Sequence, residues 1–203
     1  MSFETADEFD AQTFKNLKLD DQEVRGKTFH DCTFVHCSFH ETAFLACSFQ
    51  QCSFEHCDLS LMTVKASRFQ DVAYTHCQLA GVDWSMAAPA RLTTHTPLRF
   101  TSCSLNYATF IGAKLKGACI RDCIARDVDF SEADLENADC RGTDFSNSRF
   151  QNTNLGGADF RGARNYLISP TQNRLKGAHF SLPEAIGLLY GLEIILDNDP
   201  DLT

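Results

Sequence analysis

Large apolar residues recur every five positions along this chain. From Phe9 the series runs through Phe14, Leu19, Val24, Phe29, Phe34, Phe39, Phe44, Phe49, Phe54, Leu59, Val64, Phe69, Tyr74, Leu79 and Trp84 without a polar member. It resumes at Phe100 and continues through Leu105, Phe110, Leu115, Ile120, Ala125, Phe130, Leu135, Cys140, Phe145, Phe150 and Leu155 to Phe160, with only Ala125 and Cys140 small. Two residues before each of these centres the chain favours a small residue, such as Cys32, Cys37, Thr42, Cys47, Cys52, Cys57 and Cys77, and later Ala108, Ala133, Thr143 and Ala158. Residues two apart on extended backbone point to the same side. One large and one small side chain therefore face inward in every unit, and the other three residues face outward or form a corner. A five-residue period matches neither a helix nor a plain strand; it demands a turn in every unit.

Between Trp84 and Phe100 the register shifts by one, because sixteen residues are three units plus one. Residues 85–99 hold two of the five prolines. They form either a distorted coil or a projecting loop, and Arg91, His95 and Arg99 are its candidate partner-binding residues, since loops on rigid scaffolds often carry binding. Beyond Ala163 the pattern thins, with late matches at Leu175 and Phe180. Ser181-Leu-Pro-Glu184 reads as a capping box opening a short helix from Leu182 to about Tyr190. Leu192–Leu196 then reads as a strand. The helix has apolar residues to cover the open end of a stack, Ile186, Leu188 and Leu189. Leu192, Ile194 and Ile195 suit self-pairing across a two-fold axis. The expected organisation is a repeat region over residues 1–180 and a capping and dimerising segment over 181–203.

The pattern resembles the pentapeptide-repeat family, whose unit is small–polar–Leu or Phe–polar–polar. Ala133-Asp-Leu-Glu-Asn137 and Ala158-Asp-Phe-Arg-Gly162 match it residue for residue. The resemblance covers roughly residues 9–164. It implies an all-β fold, a right-handed quadrilateral β-helix with four units per coil and about seven coils, so that residues twenty apart stack. Each buried Phe or Leu would contribute about 1.5–3 kcal/mol.

Composition changes the picture in two ways. Ten cysteines suggest a disulfide or metal framework, but none forms a CxxC pair, and eight fall on the small inward position, which makes them core residues. His36, His56 and His76 stack one per coil, as a surface ladder or as imidazoles able to share a metal; the inward cysteines cannot join such a site. The reading is therefore no metal and no cofactor. The net charge is -9, from 27 acidic and 18 basic residues, which disfavours direct nucleic-acid binding and points to a basic partner surface. One acidic cluster is Asp20, Asp21, Glu41 and Asp58, opposed mainly by Lys18. The other is a belt of Asp127, Asp129, Glu132, Asp134, Glu136, Asp139 and Asp144 with basic neighbours one coil away. Either is a partner surface or ordinary solubility charge.

No catalytic motif is present, so no enzymatic activity is expected. No apolar stretch is long enough for a membrane helix, and the acidic N-terminus has no signal-peptide pattern, which makes the cytoplasm the expected compartment. Cys57-Asp-Leu-Ser-Leu61, Gly81-Val-Asp-Trp-Ser85 and the ending from Phe180 to Ile194 resemble the pentapeptide proteins that protect DNA gyrase, the albicidin- and microcin-resistance proteins and the Qnr quinolone-resistance proteins. That resemblance implies a homodimeric, DNA-mimicking acidic rod that engages gyrase or topoisomerase IV. The alternative is a scaffold or regulatory adaptor with no topoisomerase contact, which outward Ala43, Leu45 and Ala46 favour.

Overall fold

A computed structural model describes residues 6–88, 98–192 and 194. The chain winds into a four-sided parallel β-solenoid of about eight turns, one more than the repeat count suggests. Units after Ala163 contribute to it, through the bridges of Asn154 with Arg174 and Asp159 with His179. On the first face Glu8–Asp10, Thr28–His30, Ser48–Gln50 and Arg68–Gln70 pair in parallel. The second carries Thr13–Lys15, Thr33–Val35, Ser53–Glu55, Ala73–Thr75, Arg99–Thr101 and Cys119–Arg121. The third and fourth faces are stitched largely by single bridges, such as Lys18 to Ser38 to Asp58 and Asp83 to Thr109 to Asp129.

The corners explain the period. Two residues after almost every centre the backbone turns into the left-handed region, in Gly26 and Gly117 but also in Asn16, Asp21, Glu41 and Tyr107. For a residue with a side chain this costs about 1–2 kcal/mol, and it recurs because the corner brings each coil into hydrogen-bonding register with the next. Glu41 N–H donates to Ser60 O at 2.9 Å and Leu61 N–H to Ala80 O at 2.8 Å.

Inside, the centres stack. Phe29 and Phe49 lie 4.8 Å apart at 9°, and Phe34 and Phe54 4.5 Å apart at 8°. Around a single coil the rings meet edge to face, as in Phe29–Phe34 at 71° and Phe34–Phe39 at 77°, an arrangement that aromatic quadrupoles favour.

The interruption differs from its sequence reading. Tyr74 pairs with Phe100, and Cys77 meets Cys103 across 26 residues where other coil neighbours are 20 apart. The break is therefore two units plus six residues, not three plus one. Ala88 still follows the first register, with its N–H on Ser67 O. Arg99 is already in the second, in a strand paired with Cys119 and with its guanidinium 2.8 Å from Asp71. Arg99 thus belongs to the wall of the solenoid and not to a loop. Arg91 and His95 lie outside the described residues.

At the C-terminal end the expected short helix is present and ends at Gly191, but its cap is corrected. Glu184–Ile186 is a 3-10 turn and Gly187–Tyr190 a single α-helical turn, with no side-chain cap. Ser181 does not form the expected capping box; its Oγ accepts from Gly162 N–H at 2.9 Å. Of the three apolar residues expected to cover the end, only Leu188 packs on the core, beside Leu175 and Phe180. A Cβ at Gly191 would meet Ser169 and Pro170 at 2.9 Å, so this close approach of the turn to the last coil requires glycine. Most of the expected strand, Ile195 included, falls outside the described residues.

The inward cysteines do more than fill space. Cys57 Sγ donates to Phe34 O at 3.4 Å and accepts from Cys37 N–H at 3.4 Å. Ser67 makes the same pair of bonds, to Phe44 O and from Cys47 N–H. Thr143 does so to Ile120 O and from Cys123 N–H. Burial pushes the Cys52 thiol up to about 11, so it remains a donor. All ten cysteines are free. Cys57→Ser should therefore change unfolding stability by less than about 1 kcal/mol. Cys57→Val, which strands the buried Cys37 N–H, should cost about 1–3 kcal/mol. Urea denaturation of both variants decides this, and equal losses would refute the hydrogen-bonding role.

Candidate partner-binding surface

Each outward side chain is held by the coil register, so charges twenty residues apart lie side by side. In the belt this register brings opposite charges together. Glu136 lies 3.0 Å from Lys116, and Asp129 lies 3.6 Å from Arg149. Asp139 sits between Arg121 and Arg141, the latter at 2.8 Å. Asp134 accepts from Asn154 at 2.7 Å. Among the belt residues Asp127, Glu132 and Asp134 have no ion pair among the described residues, the first two lying on left-handed corners. Much of the belt is thus mutually neutralised, and exposed pairs of this kind add about 0–1 kcal/mol each.

Asp144 differs because its side chain is only 2% exposed. Arg126 donates to its Oδ2 at 2.9 Å, while Ser146 and Asn165 donate to Oδ1. Burial pushes this carboxyl up, but the donated hydrogen bonds outweigh it and hold the group below the usual carboxylate range. Arg141, with Arg121, depresses Asp139 against its own partial burial.

The second cluster has a different character. Asp20 accepts from the Ser38 hydroxyl and from His40 N–H, Asp58 from Ser60 N–H, and Glu41 lies 3.3 Å from His40. Among the described residues no Lys or Arg pairs with Asp20, Asp21, Glu41 or Asp58. Lys18, the base expected to oppose them, forms no ion pair there either. The four residues lie together on the third face and its left-handed corner.

His36, His56 and His76 form the expected ladder, with ring centroids 5.1 and 5.0 Å apart. The rings lie face to face, at 22° and 12°. No metal-ligating group of three is found among the described residues. At the C-terminal end Ile186, Leu189, Leu192 and Ile194 are all exposed. No helix among the described residues is long and apolar enough to cross a membrane.

Repeat, coil and register together define a pentapeptide-repeat solenoid. A model of the pentapeptide repeat region matches residues 27–110, and a model of pentapeptide repeats in eight copies matches 99–131 and 129–164. The chain belongs to the pentapeptide-repeat family. Among solved structures it is similar to a trypsin-treated form of QnrB1, a plasmid-mediated fluoroquinolone resistance protein. That match has a TM-score of 0.65 and 19% identity, covering 91% of this chain and 100% of that one. Full-length QnrB1 matches at a TM-score of 0.55 and 20% identity, covering 92% and 100%. HetL, a pentapeptide repeat protein involved in heterocyst differentiation regulation in a Nostoc cyanobacterium, matches at 0.46 and 13%, covering 84% and 86%. No curated protein sequence matches the chain.

The depressed carboxyls set a pH dependence. A group whose folded pKa lies below its unfolded value stabilises the fold above the unfolded value, and that contribution is lost as the pH falls. Stability should decline below about pH 4 as Asp144 and Asp139 protonate. Asp144→Ala should cost about 2–4 kcal/mol near neutrality and flatten the acid limb. A loss of the same size at pH 7 and at about pH 2, below the usual Asp range, would contradict this account of Asp144.

Proposed function

We propose that this protein binds DNA gyrase, or topoisomerase IV, in the cytoplasm as a DNA-mimicking acidic rod and relieves inhibition of the enzyme, with no catalysis of its own. The observation that carries the reading is the unneutralised cluster of Asp20, Asp21, Glu41 and Asp58. Nine net negative charges spread over about eight coils, each rising ~4.8 Å, give one charge per ~4 Å. Duplex DNA carries one per ~1.7 Å, so the rod as a whole is a dilute imitation. The cluster is denser: its four carboxylates span three coils, about 10 Å, or one per ~2.5 Å. A basic groove that accepts DNA would meet a comparable field there. The likeness in fold to a fluoroquinolone resistance protein supports the same direction.

Addition of the protein to gyrase poisoned by a fluoroquinolone should restore supercoiling. The variant D20N/D21N/E41Q/D58N should need about tenfold more protein for the same effect, equivalent to one or two lost charge contacts. Unchanged levels of cleaved DNA across a wide titration of the wild-type protein would sink the proposal. The adaptor reading draws on exposed Ala46 beside half-buried Ala43 and Leu45. Capture of another protein in a pulldown that leaves gyrase behind would favour it.

The reading includes a homodimer formed through the C-terminal apolar residues. Wild-type protein should sediment as a dimer, and I186D/L189D should sediment as a folded monomer, since both side chains are exposed within one copy. A monomeric wild type at high concentration counts against the dimer alone.

A further inference from the structure

The corner between the third and fourth faces carries an oddity. Left-handed corners suit Gly, Asn and Asp, yet two coils of this corner place Leu61 and Tyr107 there, at φ 58° and 60°. Neither residue recovers that cost by burial, because Leu61 is 50% exposed and Tyr107 69%. Between them stands Gly81, on the coil that separates them. The backbone ladder fixes the order: Leu61 N–H reaches Ala80 O, and Gly81 N–H reaches Asn106 O, both at 2.8 Å. Leu61 leans across the gap, its Cδ2 only 2.5 Å from where a Cβ on Gly81 would stand. The result is an apolar ridge two coil spacings long, ~10 Å, open to solvent.

The same corner column continues into charge at both ends. Glu41 and Asp21 precede Leu61, and Asp127 follows Tyr107, each in the same left-handed conformation. On the flanking faces Asp58 and Asp83 adjoin the ridge. Of the bases nearby, Lys65 sits alone, while Arg126 is committed to Asp144. An exposed apolar strip rimmed by carboxylates that have no Lys or Arg partner among the described residues is the anatomy of a binding edge.

We propose that the Leu61–Gly81–Tyr107 ridge is a docking site for a basic protein segment that lays one aromatic or aliphatic side chain against the exposed faces of Leu61 and Tyr107. The two exposed side chains carry the anchor, and the acids at either end of the column take the flanking Lys or Arg residues. The site stands whether or not the partner is a topoisomerase, since it selects a segment by chemistry alone.

The test uses the full chain and two labelled Lys/Arg-rich peptides, identical except that one carries a central Phe and the other Ser. Asn is the replacement of choice in the protein because it accepts the left-handed corner, so L61N/Y107N should keep or raise the unfolding temperature. Fluorescence anisotropy should show the Phe peptide binding wild type at least about tenfold more tightly than the Ser peptide, the effect expected of one buried anchor. The variant should lose that discrimination. Equal affinity for both peptides, no binding to wild type, or full discrimination by a folded variant each overturns the proposal. As a second measurement on the wild-type protein, a photoreactive phenylalanine at the anchor position should label the coil corners around Leu61, Gly81 and Tyr107. Label confined elsewhere also overturns it.

Discussion

Everything in this structure depends on one coil hydrogen-bonding to the next in register. The backbone of each unit is satisfied only if the corner turns by the same amount every five residues, and that turn is made in left-handed backbone. A single such residue is a small liability of about 1–2 kcal/mol. A column of them persists because each corner secures ladder hydrogen bonds and aligns one ring over another, as Phe130 over Phe150 at 5.2 Å. Stability of this kind adds along the stack rather than around one centre. The ends and the interruption are therefore where it is weakest in principle, and there the largest aromatic residue appears. Trp84 stacks on Phe110 at 5° and meets Phe69 and Phe100 edge-on, filling the core beside the break.

The inward half of this architecture was legible in the sequence because volume alone dictates it: a large and a small residue alternate on one side of a short extended segment. What volume does not reveal is hydrogen bonding. The equivalence of Cys57 with Ser67 and Thr143 rests on a donor and an acceptor that meet only once coils are stacked. The signal was nonetheless present, since Cys, Ser and Thr share one position of the unit and all three can donate. Arg99 was misplaced for a related reason. A period of five leaves the number of units spanned by an interruption undetermined, and only the pairing of Tyr74 with Phe100 fixes it. The capping box failed because its serine is taken by Gly162 on the coil below, a partner nineteen residues away that a local motif does not contain.

The charges follow the same register. In the C-terminal half Arg and Asp residues recur at offsets that set them beside each other, so Asp139 and Asp144 belong to the framework as much as to the surface. Around Asp20 and Asp58 in the N-terminal half the residues one coil away are Ser, His and Gln, and these two carboxylates accept from a hydroxyl and from backbone amides instead of a base. Identical residue types thus serve two ends. The count of acids in a segment does not predict its field; the identity of the residue one coil away does.

That division bears on what kinship in fold can convey. At 19% identity over 91% of the chain, the likeness to QnrB1 is what two inward positions in every five would produce, since those alone build the solenoid. The three outward positions are free of the core, and a partner meets only them. Fold and function are therefore carried by different residues of the same unit, and a shared fold leaves the partner open. For this chain the outward residues that depart from what the fold requires are the unneutralised acids at one end and the large apolar side chains on left-handed corners. Selection for stability alone would place Gly or Asn at Leu61 and Tyr107 and a base beside Asp21. Both departures fall on the edge between the third and fourth faces, which is why the proposed recognition is placed there rather than on the rod as a whole.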